Sequence, residues 1–156
     1  MKSSVSVQEA DFDLSAEVRA LTAGELSAGA VASFVGLVRD NNDGAGVADM
    51  TLEHYPGMTE KALNEIVAKA ADRWELLGVR VIHRVGYLKP GEQIVLVAVS
   101  SPHRGNAFAA CEFIMDYLKT QAPFWKKEST SEGGRWVDAR DSDESALDKW
   151  KDQIGL

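Results

Sequence analysis

Residues 93–120 read QIVLVAVSSPHRGNAFAACEFIMDYLKT. The first part, QIVLVAVS (93–100), predicts a strand. It is so apolar that both of its faces must be covered. The rest, 101–120, predicts a long helix. Ser101 is placed to cap it and Pro102 suits its first position. Phe108, Cys111, Ile114, Met115 and Leu118 recur at helical spacing and predict its buried stripe. A strand that needs cover on both sides, followed by an amphipathic helix, sets the frame for the rest of the chain.

Working outward, GAVASFVGLVR (29–39) predicts a strand, DNNDGAG (40–46) a turn, and VADMTLEHY (47–55) a returning strand. Together these predict a long hairpin. PGMTEKALNEIVAKAADRWELLG (56–78) predicts a second long helix, with Leu63, Ile66, Val67, Ala70 and Trp74 on one face and Gly78 as its stop. VRVIHRVGYL (79–88) predicts a strand, and KPGE (89–92) a turn before 93–100. Beyond the 101–120 helix, PFWKKEST (123–130) resumes as a strand, EGG (132–134) turns, and RWVDAR (135–140) follows. Charged residues near 143–152 predict a short closing helix. The first 28 residues are polar, with a short helix expected from Ser15. Helices and strands alternate with hairpins between them, so the fold class is α+β with a mostly antiparallel sheet and two long helices. No repeat or linker divides the chain, and 1–156 reads as a single domain.

The 156 residues carry a formal charge of −7, and 45% of them are hydrophobic. That is enough for a packed core, and the acidity argues against broad attraction to nucleic acid or anionic membrane. An anionic ligand must therefore meet a local cluster of cations. The lone cysteine, Cys111, excludes an intrachain disulfide. Together with an N-terminus lacking a signal-like apolar run, it points to the cytoplasm. No metal motif is present, and His54 and His83 lack partners at ligand spacing. His83 reads as a hydrogen-bonded structural residue.

Three groups carry potential chemistry. His103 and Arg104 follow the apolar strand at a helix start, where free N–H groups and the dipole favour an anion; both also suit an ordinary solvated first turn. Lys119 and Lys126 flank the break at Pro123. Two amines near Phe124 and Trp125 would lower each other's pKa and become bases, whereas a lysine at a helix end also simply complements the dipole. Arg39 ends a strand, as a ligand contact or as an edge charge.

The segments FVGLVRD (34–40), LEHYPGMTEKAL (52–63), RWELLGVRVIHRVGYLKPGE (73–92), SPHRGNAFAACEFIMDYLKTQAPFWKKE (101–128) and RWVDAR (135–140) resemble the large subunit of molybdopterin synthase. The likeness covers about residues 30–150; residues 1–28 match weakly. The resemblance implies an α/β hammerhead-like fold and a sulfurtransferase of molybdenum cofactor biosynthesis. Such an enzyme converts cyclic pyranopterin monophosphate into the molybdopterin dithiolene, and no cofactor is implied. Sulfur would come from a small ubiquitin-like subunit ending in a Gly-Gly thiocarboxylate. The large subunits would form a homodimer within a heterotetramer.

By position, the resemblance makes Lys119 and Lys126 the catalytic pair. It assigns Leu37, Val38, Arg39, His103, Arg104, Lys119, Lys126, Lys127 and Glu128 to substrate binding, with Arg140 as a further basic position. Two other readings compete. One is a non-catalytic module that docks a ubiquitin-like tail. The other is an unrelated lysine enzyme forming a Schiff base with a phosphorylated carbonyl compound.

Overall fold

The structure is a computed structural model. It describes residues 1–42, 45–130, 133–137, 146–148 and 150, with 41–42, 45–48, 125–130 and 133–137 described by backbone alone. The chain runs β1 (Lys2–Gln8), α1 (Leu14–Thr22), β2 (Ala30–Leu37), β3 (Asn41–Asn42), β4 (Ala45–His54), α2 (Met58–Arg73), β5 (Gly78–Arg84), β6 (Gly86–Leu88), β7 (Gln93–Ser101), α3 (Arg104–Gln121), β8 (Phe124–Thr130) and β9 (Gly133–Val137).

Among the described residues the strands form two sheets. One has the order β1-β5-β7-β2; the other has β3-β4-β8-β9, with β6 also paired to β4. All pairings are antiparallel except β1 with β5. The expected α+β class with mostly antiparallel sheets holds.

The first sheet is covered on both faces, as the composition of β7 requires. Val95, Val97 and Val99 face the main core with Leu63, Ile66, Ala70, Phe113 and Ile114 of α2 and α3. Leu96 and Ala98 face Phe12 and Leu21 around α1. Arg80 locks α1 down through a 2.8 Å ion pair from its Nε to Glu17. Val5 and Val7 of β1 pack on the main core; the alternation of VSV at 5–7 was the signal for a strand that the sequence reading passed over.

Several expectations are corrected. The long hairpin of 29–39 with 47–55 does not form. β2 pairs with β7 and β4 pairs with β8 and β6, leaving only Asn41–Asn42 against Ala45–Gly46 as a short hairpin. Burial decides this: Ala32 of β2 belongs to the main core, whereas Met50 of β4 packs with Val38 and Leu88 in a separate small cluster.

The 56–78 helix stops at Arg73, and Trp74 is already extended. Gly78 is no helix stop but opens β5, where a Cβ would lie 2.7 Å from Leu21 Cδ1 and 2.9 Å from Ser100 Oγ. The 79–88 strand is broken at Val85, and Gly86, whose φ of 88° suits glycine, opens β6 on the second sheet.

Ser101 is the last residue of β7 rather than a helix cap. It pairs with Ala30, and its hydroxyl donates to the Glu75 carbonyl and accepts from the His103 N–H. His103 takes the N-cap position and α3 begins at Arg104. Phe108 leaves the predicted stripe and is 66% exposed. Gly133 and Gly134 pair with Thr130 and Ser129 inside β9 rather than turning. Residues 146–148 and 150 are helical; the remainder of the predicted closing helix, and positions 138–140 of RWVDAR, lie outside the described residues.

Candidate functional site

The β2–β7 ladder serves as a ruler for the site. Ala30 pairs with Ser101 at one end and Leu37 with Gln93 at the other. Seven strand steps separate these ends by about 23 Å. Arg39 follows the Leu37 end directly, while His103 and Arg104 follow the Ser101 end. Helix α3 then runs back over the sheet for 18 residues, about 27 Å at helical rise. Lys119 in its last turn therefore returns to the Arg39 end. One chain thus groups Arg39, Lys119 and the start of β8, and leaves His103 and Arg104 at the far end. Within one chain the β2–β7 ladder therefore holds Arg39 apart from His103 and Arg104.

At the near end, Lys119 is exposed, and its charge reaches His83. Helix α3 ends at Gln121, and Pro123 carries the chain into β8. The Pro123 carbonyl accepts a 3.0 Å bond from Thr59 Oγ1, and that hydroxyl in turn accepts from the Tyr55 N–H. Thr59 is fully buried at the start of α2, so the bend is pinned to a helix distant in sequence. Phe124 stacks on the His83 ring at 3.9 Å between centroids and 22° between planes. Two residues further on, the Lys126 backbone pairs with Leu52 on one side and Val137 on the other. Lys127 and Glu128 continue β8 opposite Thr51 and Met50. Positions 124, 126 and 128 share one side of the strand by its two-residue repeat.

His83 is buried, and its Nδ1 lies 2.9 Å from the Arg84 carbonyl oxygen. A carbonyl oxygen only accepts, so Nδ1 carries the proton. Loss of hydration pushes the His83 pKa down to about 3, and the nearby charges of Lys119 and His54 act in the same direction. The ring is neutral throughout the working range.

The Arg39 loop has its own scaffold. Val38 is buried; its N–H donates to Glu92 O at 2.9 Å, and its carbonyl accepts from Gly91 N–H at 2.8 Å. Buried Arg84 holds the same turn, donating to Gln93 O at 2.9 Å and to Glu9 O at 3.0 Å. Gln93 donates to Asp11, which with the Phe12 N–H and the Arg84 charge keeps the Asp11 carboxyl below its ordinary range. Leu37, by contrast, is 56% exposed.

At the far end, His103 and Arg104 are exposed at the start of α3, and no acidic residue occupies its first turn. Gly29 N–H donates to Ser101 O, and a Cβ at Gly29 would lie 2.2 Å from the Pro102 carbonyl oxygen. Only glycine lets the chain pass this close. Arg140 lies outside the described residues.

Cys111 is buried, and desolvation pushes its thiol up to about 11. That is the behaviour of a packed side chain rather than of a nucleophile. Among the described residues no cluster of three His, Cys, Asp or Glu is placed to hold a metal ion, and no helix is long and apolar enough to cross a membrane. The sequence reading missed Thr59 and the role of Arg84. Thr59 carried a usable signal, a small polar residue in the first turn of an amphipathic helix.

Both the sequence and the fold match known proteins. The MoaE protein family matches residues 7–121. The molybdopterin synthase catalytic subunit of Ralstonia nicotianae is 68% identical over 146 residues, covering 94% of this chain and 83% of that protein. The structure of the molybdopterin biosynthesis MoaE protein from Burkholderia ambifaria superposes with a TM-score of 0.83 at 57% identity, covering 97% of this chain and 99% of that one. A chain from the complex of subunits 1 and 2 of the Helicobacter pylori molybdopterin-converting factor shares the fold, with a TM-score of 0.69 at 20% identity, over 88% of this chain and 90% of that one. With its fold and its relatives in accord, the chain belongs to the MoaE family of molybdopterin synthase catalytic subunits.

Proposed function

We propose that this chain is the sulfur-transferring subunit of a molybdopterin synthase. It takes sulfur from the C-terminal thiocarboxylate of a small ubiquitin-like subunit and delivers it to cyclic pyranopterin monophosphate, forming the dithiolene. The observation that carries the reading is the bend itself. Lys119 closes α3 beside a pinned Pro123 and a stacked Phe124, and β8 continues at once through Lys126, Lys127 and Glu128.

The thiocarboxylate sulfur bonds to a pterin side-chain carbon as the carbon–oxygen bond there breaks, and the departing oxygen takes up a proton. Water then cleaves the acyl carbon–sulfur bond, returning the small subunit as a carboxylate. An amine at Lys119 or Lys126 moves protons in both steps, and the other cation steadies the acyl oxyanion. The buried Cys111 does not compete as sulfur donor. A protein with one buried thiol needs no oxidising compartment, which suits a cytoplasmic enzyme.

The substrate phosphate needs cations, and here the separation of Arg39 from His103 and Arg104 supports a homodimer. β2 is an edge strand among the described residues, with Val31, Phe34 and Leu37 38%, 42% and 56% exposed. An apolar edge of this kind invites another strand. Two copies paired antiparallel about the middle of β2 would set Leu37 of one opposite Ala30 of the other. Arg39 would then meet the partner copy's α3 start, with its free N–H groups, and Leu37 and Val38 would line the junction. The small subunit would complete a heterotetramer; the two-subunit complex of the related H. pylori factor is consistent with that assembly.

Reconstitution tests the proposal, using this chain, a thiocarboxylated small subunit and the cyclic pterin monophosphate, assayed for molybdopterin. Lys119→Ala is expected to lower turnover by at least about 10²-fold, the worth of a positioned acid–base group, with small-subunit binding retained. Full activity in that variant would remove the catalytic assignment of Lys119.

A further inference from the structure

We propose that His83 is a positioning residue for the reaction, the wedge that fixes the end of α3 bearing Lys119 against the start of the strand bearing Lys126. The inference rests on Lys119 acting in catalysis, and goes beyond it to a side chain deep in the first sheet.

The geometry is specific. His83 lies on β5 with Val7 and Val95 as its register partners, both apolar. A polar ring in such a place costs stability unless it is satisfied. Its Nδ1–H is satisfied by the Arg84 carbonyl at 2.9 Å, which also fixes the ring plane. One face of that plane is given to Phe124, stacked at 3.9 Å. Phe124 is the first residue of β8 and pairs with His54 of β4. The ionisable groups facing the ring are Lys119 from α3 and His54 from β4. The ring therefore touches the strand that continues to Lys126 and stands within electrostatic reach of Lys119.

The ring fills the space against Phe124, and a side chain without a ring would leave the start of β8 free to shift. The adjacent Arg84 anchors the turn that carries Val38 and Arg39. Two consecutive residues of β5 thus set the two limbs of the site, His83 the lysines and Arg84 the arginine loop. Neutrality matters as well, since an imidazolium here would repel the Lys119 ammonium.

The test uses the reconstituted synthase and three variants. His83→Asn keeps a donor for the Arg84 carbonyl and loses the ring. His83→Phe keeps the ring and loses the nitrogens. Phe124→Leu removes the other half of the stack. His83→Asn is expected to lower kcat by about 10-fold or more, since small misplacements of reacting groups cost up to about 10²-fold. KM for the pterin and for the small subunit should change by less than about threefold, the signature of lost alignment rather than lost binding. The acid limb of the pH–kcat profile should move, because the surroundings of Lys119 change. His83→Phe should recover most of kcat. Phe124→Leu should match His83→Asn, and the double variant should be no slower than either single, because one contact is being removed twice.

A wild-type kcat with an unmoved pH limb in His83→Asn overturns the proposal. So does a His83→Phe variant as slow as His83→Asn, or losses that add in the double variant. Should His83→Asn fail to fold, Phe124→Leu decides alone, and wild-type turnover there sinks the idea. A dead Lys119→Ala beside a normal His83→Asn removes only the positioning role, whereas an active Lys119→Ala removes the catalytic reading beneath it.

Discussion

A neutral, buried imidazole makes stability depend on pH in a range where little else does. His83 titrates near 3 in the folded chain and near 6.5 when exposed. Because its folded value is depressed, the unfolded state takes up the proton first. The stability it leaves intact above pH 6.5 is lost as pH falls toward the folded value. Each pH unit below 6.5 removes about 1.4 kcal/mol, so about 2 kcal/mol is gone at pH 5 relative to pH 7.5. For a domain of this length that corresponds to a fall in Tm of about 4–8 °C. The Asp11 and Glu25 carboxyls, held below ordinary values of 3.8 and 4.5, act only at lower pH. The assay is thermal or urea unfolding at both pH values and at one protein concentration, since assembly also shifts apparent stability. His83→Phe loses a hydrogen bond at every pH but carries no proton. Subtracting its pH dependence from that of the parent should leave the 2 kcal/mol. An equal loss between pH 7.5 and 5 in both proteins would refute the buried, neutral ring.

Three further outcomes follow from the same structure. Arg39→Ala and Arg104→Ala should each be inactive alone, yet chains mixed one to one and reassembled should regain about a quarter of the sites, because half the dimers are mixed and each has one intact junction; no recovery would place both residues in one protomer's site. Gly29→Ala should destabilise by about 1–3 kcal/mol in urea unfolding, the cost of overpacking, and weaken pterin binding, because the clash is with the Pro102 backbone beside His103; a neutral result would disprove the close approach. Cys111 should resist iodoacetamide at pH 8 in the native protein and label fully in urea, as a buried thiol raised to about 11 requires; fast native labelling would contradict its burial.

What the sequence determined by itself were the two long helices, the doubly covered strand and the bend between α3 and β8. The unbroken apolar run of β7 required cover on both faces, and α2 and α3 announced themselves by helical periodicity, because both signals are local. The bend at Pro123 was equally legible, since proline ends a helix wherever the chain goes next. Pairing was not legible. β2 and VADMTLEHY look like a hairpin in a linear reading, and only the competition for two separate cores sent them to different sheets. The same non-local pairing set the ladder whose length parts Arg39 from His103 and Arg104. Nor could spacing show that Thr59 would reach Pro123 across 64 positions, or that His83 would lie flat on Phe124. Those contacts follow from which surfaces bury each other, and that is a property of the whole chain rather than of any stretch of it.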